Sequence, residues 1–219
     1  MPNETKPSLP RWVIISGIAF VVLGLAALEF TYHIGLLDHN FRLVAPQCYR
    51  SAQLTPDVLE QHIKDEGLKC VVNLRGDHDG ADWHKGEVDA CKRMSVEHAD
   101  IRFDLRKLPE PDALNALIER LESGPYPMLM HCRAGSERTG MAAALYCMIV
   151  EHKTLDEALA TQTGWHVGHF RNSSNDAGDR FFEIYRATSA GKNIKEWIAQ
   201  SYPDIYKKIG QYGGVADVK

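Results

Sequence analysis

Residues 128–150, MLMHCRAGSERTGMAAALYCMIV, constrain the fold more than any other stretch. Four residues ending at His131 form a run too short for a helix and suited to a buried strand. A loop of small and polar residues follows. Beyond Arg138 comes a helix-length segment that is apolar on every side, and such a helix must be buried all round. A strand that passes this quickly into a buried helix belongs to a sheet covered by helices.

The rest of the chain fits that frame. Thr55-Pro56 opens a helix with a hydroxyl cap and a first-turn proline; Val58, Leu59 and Ile63 line its face and Gly67 stops it. Residues 68–74, LKCVVNL, read as a strand buried on both faces. A Gly/Asp-rich loop at 75–80 precedes a helix at 83–94, and residues 96–105 contain another strand. Ala113, Leu114, Leu117, Ile118 and Leu121 recur at helical spacing. Short extended pieces flank Pro46, helical hairpin material runs to Trp197, and a Tyr-rich tail ends the chain. The expected class is α/β: a parallel-rich central sheet with helices on both faces, plus one N-terminal transmembrane helix.

That helix is expected from residues 12–28, WVIISGIAFVVLGLAAL, which carry no charge between Lys6 and Arg11 on one side and Glu29 on the other. Its length approaches the roughly 20 apolar residues that a bilayer requires. Thr31, Tyr32 and residues 34–37 extend it at the interface, giving a tail at 1–11, an anchor at 12–32 and a folded domain at 40–219. A cleaved signal peptide has a shorter apolar core, and a soluble core helix has a polar side, so both alternatives fit less well. The flanks place the N-terminus in the cytoplasm and the domain across the membrane.

Composition excludes several classes. With 44% hydrophobic and 25% charged residues the chain is not disordered or low-complexity. A formal charge of -4 argues against a protein that neutralises nucleic-acid phosphates, so no nucleic-acid partner is expected. None of the five Cys forms a CxxC pair, so no disulfide framework or zinc ribbon is implied. Asp77-His78-Asp79 with His84 fits no standard metal spacing and reads as a solvated turn; no metal and no cofactor are expected.

The segment from His131 to Gly140 carries the chemistry. Backbone N–H groups of a tight loop converge on its centre, and a helix N-terminus adds partial positive charge, so an anion belongs there. A thiol in the same field is stabilised as thiolate. Five residues separate Cys132 from Arg138, whose guanidinium is a planar, bidentate anion donor.

His-Cys-(five residues)-Arg-Thr-Gly resembles the signature of cysteine-based protein tyrosine and dual-specificity phosphatases. Tyr49-Arg50-Ser51-Ala52-Gln53 and Val71-Val72-Asn73-Leu74-Arg75 are similar to segments of the small dual-specificity-like members, and the likeness covers about residues 41–159. The resemblance implies Cys132 as nucleophile through a phosphocysteine, with Arg138 gripping the phosphoryl oxygens. It implies Thr139 as donor to the thiolate and His131 as a support of the loop. Residues Arg133, Ala134, Gly135, Ser136, Glu137 and Arg138 would cradle the phosphate.

The general acid departs from the family pattern. Where an Asp is expected at the start of a loop, Arg106 and Lys107 stand. Glu137, beside Arg138, matches the position used by myotubularin-like and Sac-type lipid phosphatases and is the first candidate. Asp104, read as a strand residue, comes second, and Glu110 or Asp112 third. Arg75 and Arg50 either touch substrate or make structural hydrogen bonds. Residues 165–169 read first as a loop joining helices, with a place at the border of the active site as the alternative. The expected function is a membrane-anchored phosphatase acting on phosphotyrosine or mixed phosphoproteins. A lipid or inositol phosphate substrate is the variant, and a non-catalytic phosphate-binding module or a rhodanese-like sulfurtransferase is the alternative.

Overall fold

The computed structural model describes residues 10–33, 39–169 and 176–218. The tail ahead of residue 10, the interface extension at 34–37 and the flanking charges Lys6 and Asp38 lie outside them.

Helix α1 (Arg11–His33) is followed by β1 (Arg42–Ala45), β2 (Cys48–Ser51), α2 (Pro56–Glu66), β3 (Cys70–Asn73), α3 (Asp82–Arg93), β4 (Glu97–Asp100), α4 (Pro111–Ser123), β5 (Met128–His131) and α5 (Glu137–Ile149). Then come α6 (Leu155–Gln162), a 3-10 turn at Trp165–Val167, α7 (Ala177–Thr188), α8 (Ile194–Gln200) and α9 (Tyr202–Ile209). The sheet order is β1-β2-β5-β3-β4, antiparallel only between β1 and β2. This is the parallel-rich α/β sheet expected from the sequence.

Two separate cores follow from the alternation of side chains along a strand. Cys70, Val72, Met128 and Met130 face α4, α5, α7, α8 and α9, where Leu114, Leu117, Phe181 and Trp197 are buried. Val71 and Leu129 face the other way, onto Leu59 and Ile63 of α2 and Ala90 and Cys91 of α3. Strands β3 and β5 are buried at every position, which explains why both read as continuous apolar runs.

Register lines up the ends of four strands. Ser51 pairs with His131, His131 with Asn73, and Asn73 with Asp100. All four parallel strands therefore end in one row, and the loops that follow them crowd the same edge of the sheet. Ligands of open α/β sheets bind at that carboxyl edge.

Two sequence expectations change. The strand expected within 96–105 covers only Glu97–Asp100, so Asp104 is a loop residue, not a strand residue. The cause is visible in the pairing: β4 is an edge strand whose ladder to β3 ends at Asp100. The tail contains a further helix, α9, which buries Tyr202 against Phe181 and Trp197.

Helix α1 leaves its large apolar side chains exposed, with Phe20 at 79%. Its stretch Arg11–Glu29 is 19 residues, long and apolar enough to cross a membrane. At 1.5 Å per residue it spans about 28 Å, close to the hydrocarbon thickness of a bilayer.

Leu129 is fully buried in the middle of β5 and carries the smaller core between sheet and α2–α3. Leu129→Ala is expected to lower stability by about 2–5 kcal/mol in urea unfolding. A loss below about 1 kcal/mol would show that this face is loosely packed.

Candidate active site

At the end of β5 the chain curls from Cys132 to Ser136 and enters α5 at Glu137. The curl is held from outside through its carbonyls. Gln53 N–H donates to the Arg133 carbonyl at 3.3 Å. The Asn40 amide donates to the carbonyls of Ala134 (3.3 Å) and Gly135 (3.0 Å). The Arg50 guanidinium donates to the Gly135 carbonyl at 2.7 Å. In a trans peptide the N–H points opposite to the carbonyl. With the carbonyls of 133, 134 and 135 turned outward, the N–H groups of Ala134, Gly135 and Ser136 face the inside of the curl. Such a curl, supplemented by the N-terminus of α5, has the geometry to cradle an anion.

Glycine is required at 135 for two reasons. Its φ is +70°, and a Cβ there would lie 2.6 Å from the Ala52 nitrogen and 2.8 Å from the Ser51 carbonyl oxygen. The loop thus rests directly on the backbone that follows β2.

Cys132 is 2% exposed at the floor of the curl. Burial pushes its thiol up, but the Arg138 charge pulls it down, helped by the Thr139 hydroxyl and the backbone N–H groups of Thr139 and Ala134. The balance holds Cys132 below the ordinary thiol range, whereas burial raises Cys48, Cys70, Cys91 and Cys147. One thiol of five is thus lowered where the other four are raised.

Beneath the loop, His131 is buried, and its Nε2 lies 3.1 Å from Glu87 Oε1. Burial opposes the charged imidazole, yet the Glu87 carboxylate raises His131 above its usual value. Glu87 in turn is held well below the carboxylate range by His131 and His98, against the effect of burial. Sequence reading placed Glu87 on a helix but gave no sign that it is buried beneath the signature loop.

The pocket above the loop is lined by Arg75, His78, Arg102, Phe103, Asp104, Leu105, Arg106, Arg133 and Arg138. Arg138 approaches the Phe103 carbonyl at 3.5 Å. Arg75 stacks over Trp83, 3.4 Å from the ring centroid, and donates to Gln53 at 3.0 Å. Arg50 lies below the loop instead: 1% exposed, it ties Gly135 to the Gln162 carbonyl at 2.6 Å, and burial lowers it to about 10. Of the two ambiguous arginines, Arg75 borders the pocket and Arg50 is structural.

The acid candidates separate. Asp104 is in the pocket wall, its Oδ1 accepting from the N–H groups of Arg106 (2.8 Å) and Lys107 (3.2 Å). Burial raises this carboxyl, but those two bonds and the charges of Lys107 and Arg102 leave it lowered. Glu137 turns away from the pocket and pairs with His169 Nδ1 at 2.5 Å. His169 also meets Asp179 at 3.1 Å, and the Ser136 hydroxyl donates to the Gly168 carbonyl at 2.7 Å. The Glu137 carboxylate is thus occupied by an imidazole, and Asp104 is the candidate that borders the pocket. Glu110 occupies the N-cap position of α4 without a side-chain capping bond, Asp112 lies in its first turn, and neither is among the residues lining the pocket. Residues 165–169, expected as a connecting loop, clamp the signature loop through Asn40, Ser136 and His169.

A family model described as "Tyrosine phosphatase family" matches residues 38–156. Solved structures share the fold at low identity. A DUF442 protein from Shewanella putrefaciens CN-32 aligns over 69% of this chain and 90% of its own at 16% identity, TM-score 0.54. TpbA of P. aeruginosa aligns over 65% and 82% at 20% identity, TM-score 0.51. The core catalytic domain of the PP-IP phosphatase SIW14 from S. cerevisiae aligns over 68% and 91% at 18% identity, TM-score 0.51. No curated protein sequence matches the chain.

His169 generates a pH prediction. Burial lowers it, but Asp179 and Glu137 raise it from 6.5 to about 9. A folded-state value above the unfolded one stabilises the protein fully below the unfolded value, and the gain disappears as pH rises through the folded one. Stability contributed by His169 is therefore expected to be complete below about 6.5 and to vanish through about 9. Urea midpoints across that range should fall more steeply in the native sequence than in His169→Gln. Parallel curves would contradict the assignment.

Proposed function

The chain belongs to the tyrosine phosphatase family and is a cysteine-dependent phosphatase; from that premise we propose that Cys132 hydrolyses phosphomonoesters through a phosphocysteine, in a domain held at a membrane by α1. The observation that carries the reading is the lowered Cys132 thiol, buried at the floor of a cradle of N–H groups with Arg138 beside it.

The proposed cycle has two displacements. The Cys132 thiolate attacks phosphorus, an S–P bond forms, and the P–O bond to the leaving group breaks. Asp104 gives its proton to the departing oxygen. Asp104 then takes a proton from water, whose oxygen attacks phosphorus and breaks the S–P bond, releasing phosphate and restoring the thiolate. Arg138 binds two equatorial oxygens, and the N–H groups of residues 134–136 stabilise the charge that develops on the phosphoryl group. Arg133 adds charge at the rim, and Thr139 and His131 hold the nucleophile and its loop. Asp104, lowered in the unliganded pocket, is raised when a phosphate dianion enters, because like charges disfavour its ionised form. Glu137 is a positioning residue: through His169 it fixes the first turn of α5.

Phosphotyrosine is the simplest substrate for this family. A phosphoinositide-type headgroup is a second reading, favoured by a specific observation. Five arginines, 75, 102, 106, 133 and 138, line one pocket against the single carboxylate of Asp104. One phosphoryl group needs fewer cations than that, whereas a headgroup with several phosphates would engage them together. Helix α1 would bring such a pocket to a lipid surface. With Arg11 and Lys6 as the basic flank, its N-terminus is cytoplasmic.

The test is a panel of phosphotyrosine peptide, phosphoserine peptide and phosphoinositides offered to the full chain in detergent under reducing conditions. Turnover of at least one, abolished in Cys132→Ser, is expected. Turnover that survives Cys132→Ser would move the chemistry elsewhere.

A second comparison tests the acid. Asp104→Asn should slow a poor leaving group such as a tyrosine by about 10²-fold or more, and p-nitrophenolate much less, since that group departs unprotonated. Glu137→Gln should slow both alike, because it disturbs the loop. Leaving-group dependence at Glu137 and none at Asp104 would make Glu137 the acid.

A further inference from the structure

Behind the signature loop, on the side of α3 and β4, lies a group of side chains that the proposed reaction does not use. His84 Nε2 is 3.0 Å from Asp100 Oδ2, and His98 Nδ1 is 3.7 Å from the same oxygen. One donor atom from each of His84, His98 and Asp100 lies within 4.8 Å of the other two. The three come from different elements: His84 from α3, His98 and Asp100 from β4, two residues apart and so on one face of the strand.

We propose that His84, His98 and Asp100 form a binding site for a divalent transition-metal ion, most simply Zn²⁺, with a water in the fourth position. Tetrahedral zinc holds N and O ligands at about 2.0–2.1 Å, which sets neighbouring ligand atoms about 3.3 Å apart. The two distances to Asp100 Oδ2, 3.0 and 3.7 Å, bracket that edge. A pair of imidazoles aimed at a single carboxylate oxygen exceeds what one structural hydrogen bond requires. It is the donor set of a two-histidine, one-carboxylate centre.

The surroundings supply the outer partners that such ligands need. A metal-binding imidazole donates its other N–H to a carboxylate, which fixes its tautomer and orientation. His98 Nε2 lies 2.8 Å from Glu87 Oε1, and His84 Nδ1 lies 3.8 Å from Asp77. Asp100 is oriented as well, its Oδ1 accepting from the Asn73 amide at 2.7 Å, while the same amide reaches the Gly76 carbonyl at 3.1 Å. His98 and Asp100 therefore each have a hydrogen-bonded partner for the non-ligating atom, and His84 has a longer ionic contact at its own. The His84 and His98 side chains are 11% exposed and that of Asp100 is 24%, so the centre opens to solvent on the Asp100 side, where a water ligand belongs.

Binding balances simply. The ion takes the place of the hydrogen on His84 Nε2: a neutral imidazole shifts that hydrogen to Nδ1 and a protonated one releases it to solvent, so both imidazoles bind as neutral ligands. Because Glu87 Oε1 also faces His131, the ion lies one carboxylate away from the signature loop.

The site is independent of the phosphatase reading, and its test is direct binding. The full chain carrying Cys132→Ser, which removes the exchangeable thiolate as a competing ligand, is titrated with Zn²⁺ by calorimetry and with Co²⁺ by visible absorption. One equivalent of Zn²⁺ is expected, together with the intense visible bands of four-coordinate Co²⁺. His84→Gln and His98→Gln should each weaken Zn²⁺ binding by more than about tenfold, a larger loss than an outer partner would cause. His152→Gln, on the exposed surface, should leave it unchanged. If either glutamine variant fails to fold, Asp100→Asn, nearly the same shape, carries the comparison. No binding, binding indifferent to these substitutions, or loss at only one histidine would overturn the proposal.

Discussion

Everything at the candidate site depends on how the outward carbonyls of one loop are satisfied. A curl that aims its N–H groups at an anion must turn its C=O groups into the protein, and buried carbonyls without partners are costly. Here Arg50 and Asn40, both almost wholly buried, accept that task for Ala134 and Gly135. Arg50 also binds the end of α6, and Asn40 the Val167 carbonyl. The loop is therefore pinned to β2, to α6 and to the segment after it. With its geometry set from behind, the inner face is left to N–H groups, to Arg138 and to a thiol that their combined field lowers.

The same economy explains the glycine at 135 and the pairing of His131 with Glu87. The loop lies so close to the backbone after β2 that no side chain fits. Its base is fixed by a buried imidazole–carboxylate contact that reaches α3. Sheet, smaller core and active site are thus one construction: α3 covers Val71 and Leu129 and also delivers Glu87 to the loop.

Much of this was legible in the residues. Strands β3 and β5 read directly from LKCVVNL and MLMH because burial on both faces leaves an uninterrupted apolar run. The loop read from the combination of Cys132, Gly135, Arg138 and Thr139 between strand and helix. The clamps did not. Asn40 meets the loop across 94 and 95 residues and the Val167 carbonyl across 127, and no local pattern marks such a contact. Asp104 was misplaced because alternation in residues 96–105 continues past the point where pairing with β3 stops. For Glu137, position in sequence says nothing about which way a helix-start side chain turns, and its contact with His169, 32 residues on, is not marked there. The cluster of His84, His98 and Asp100 was invisible for the same reason, since it forms only when α3 packs on β4.

The central claim is that the loop's field lowers the Cys132 thiol while burial raises the other four. The direct measurement is the rate of Cys132 alkylation by iodoacetamide as a function of pH, followed by mass spectrometry on the native chain and on Arg138→Ala. The account predicts a thiolate titration below the ordinary thiol range in the native chain, displaced upward when the Arg138 charge is removed, with the other cysteines unreactive in both. A Cys132 that titrates as an ordinary thiol, or one indifferent to Arg138, would contradict it.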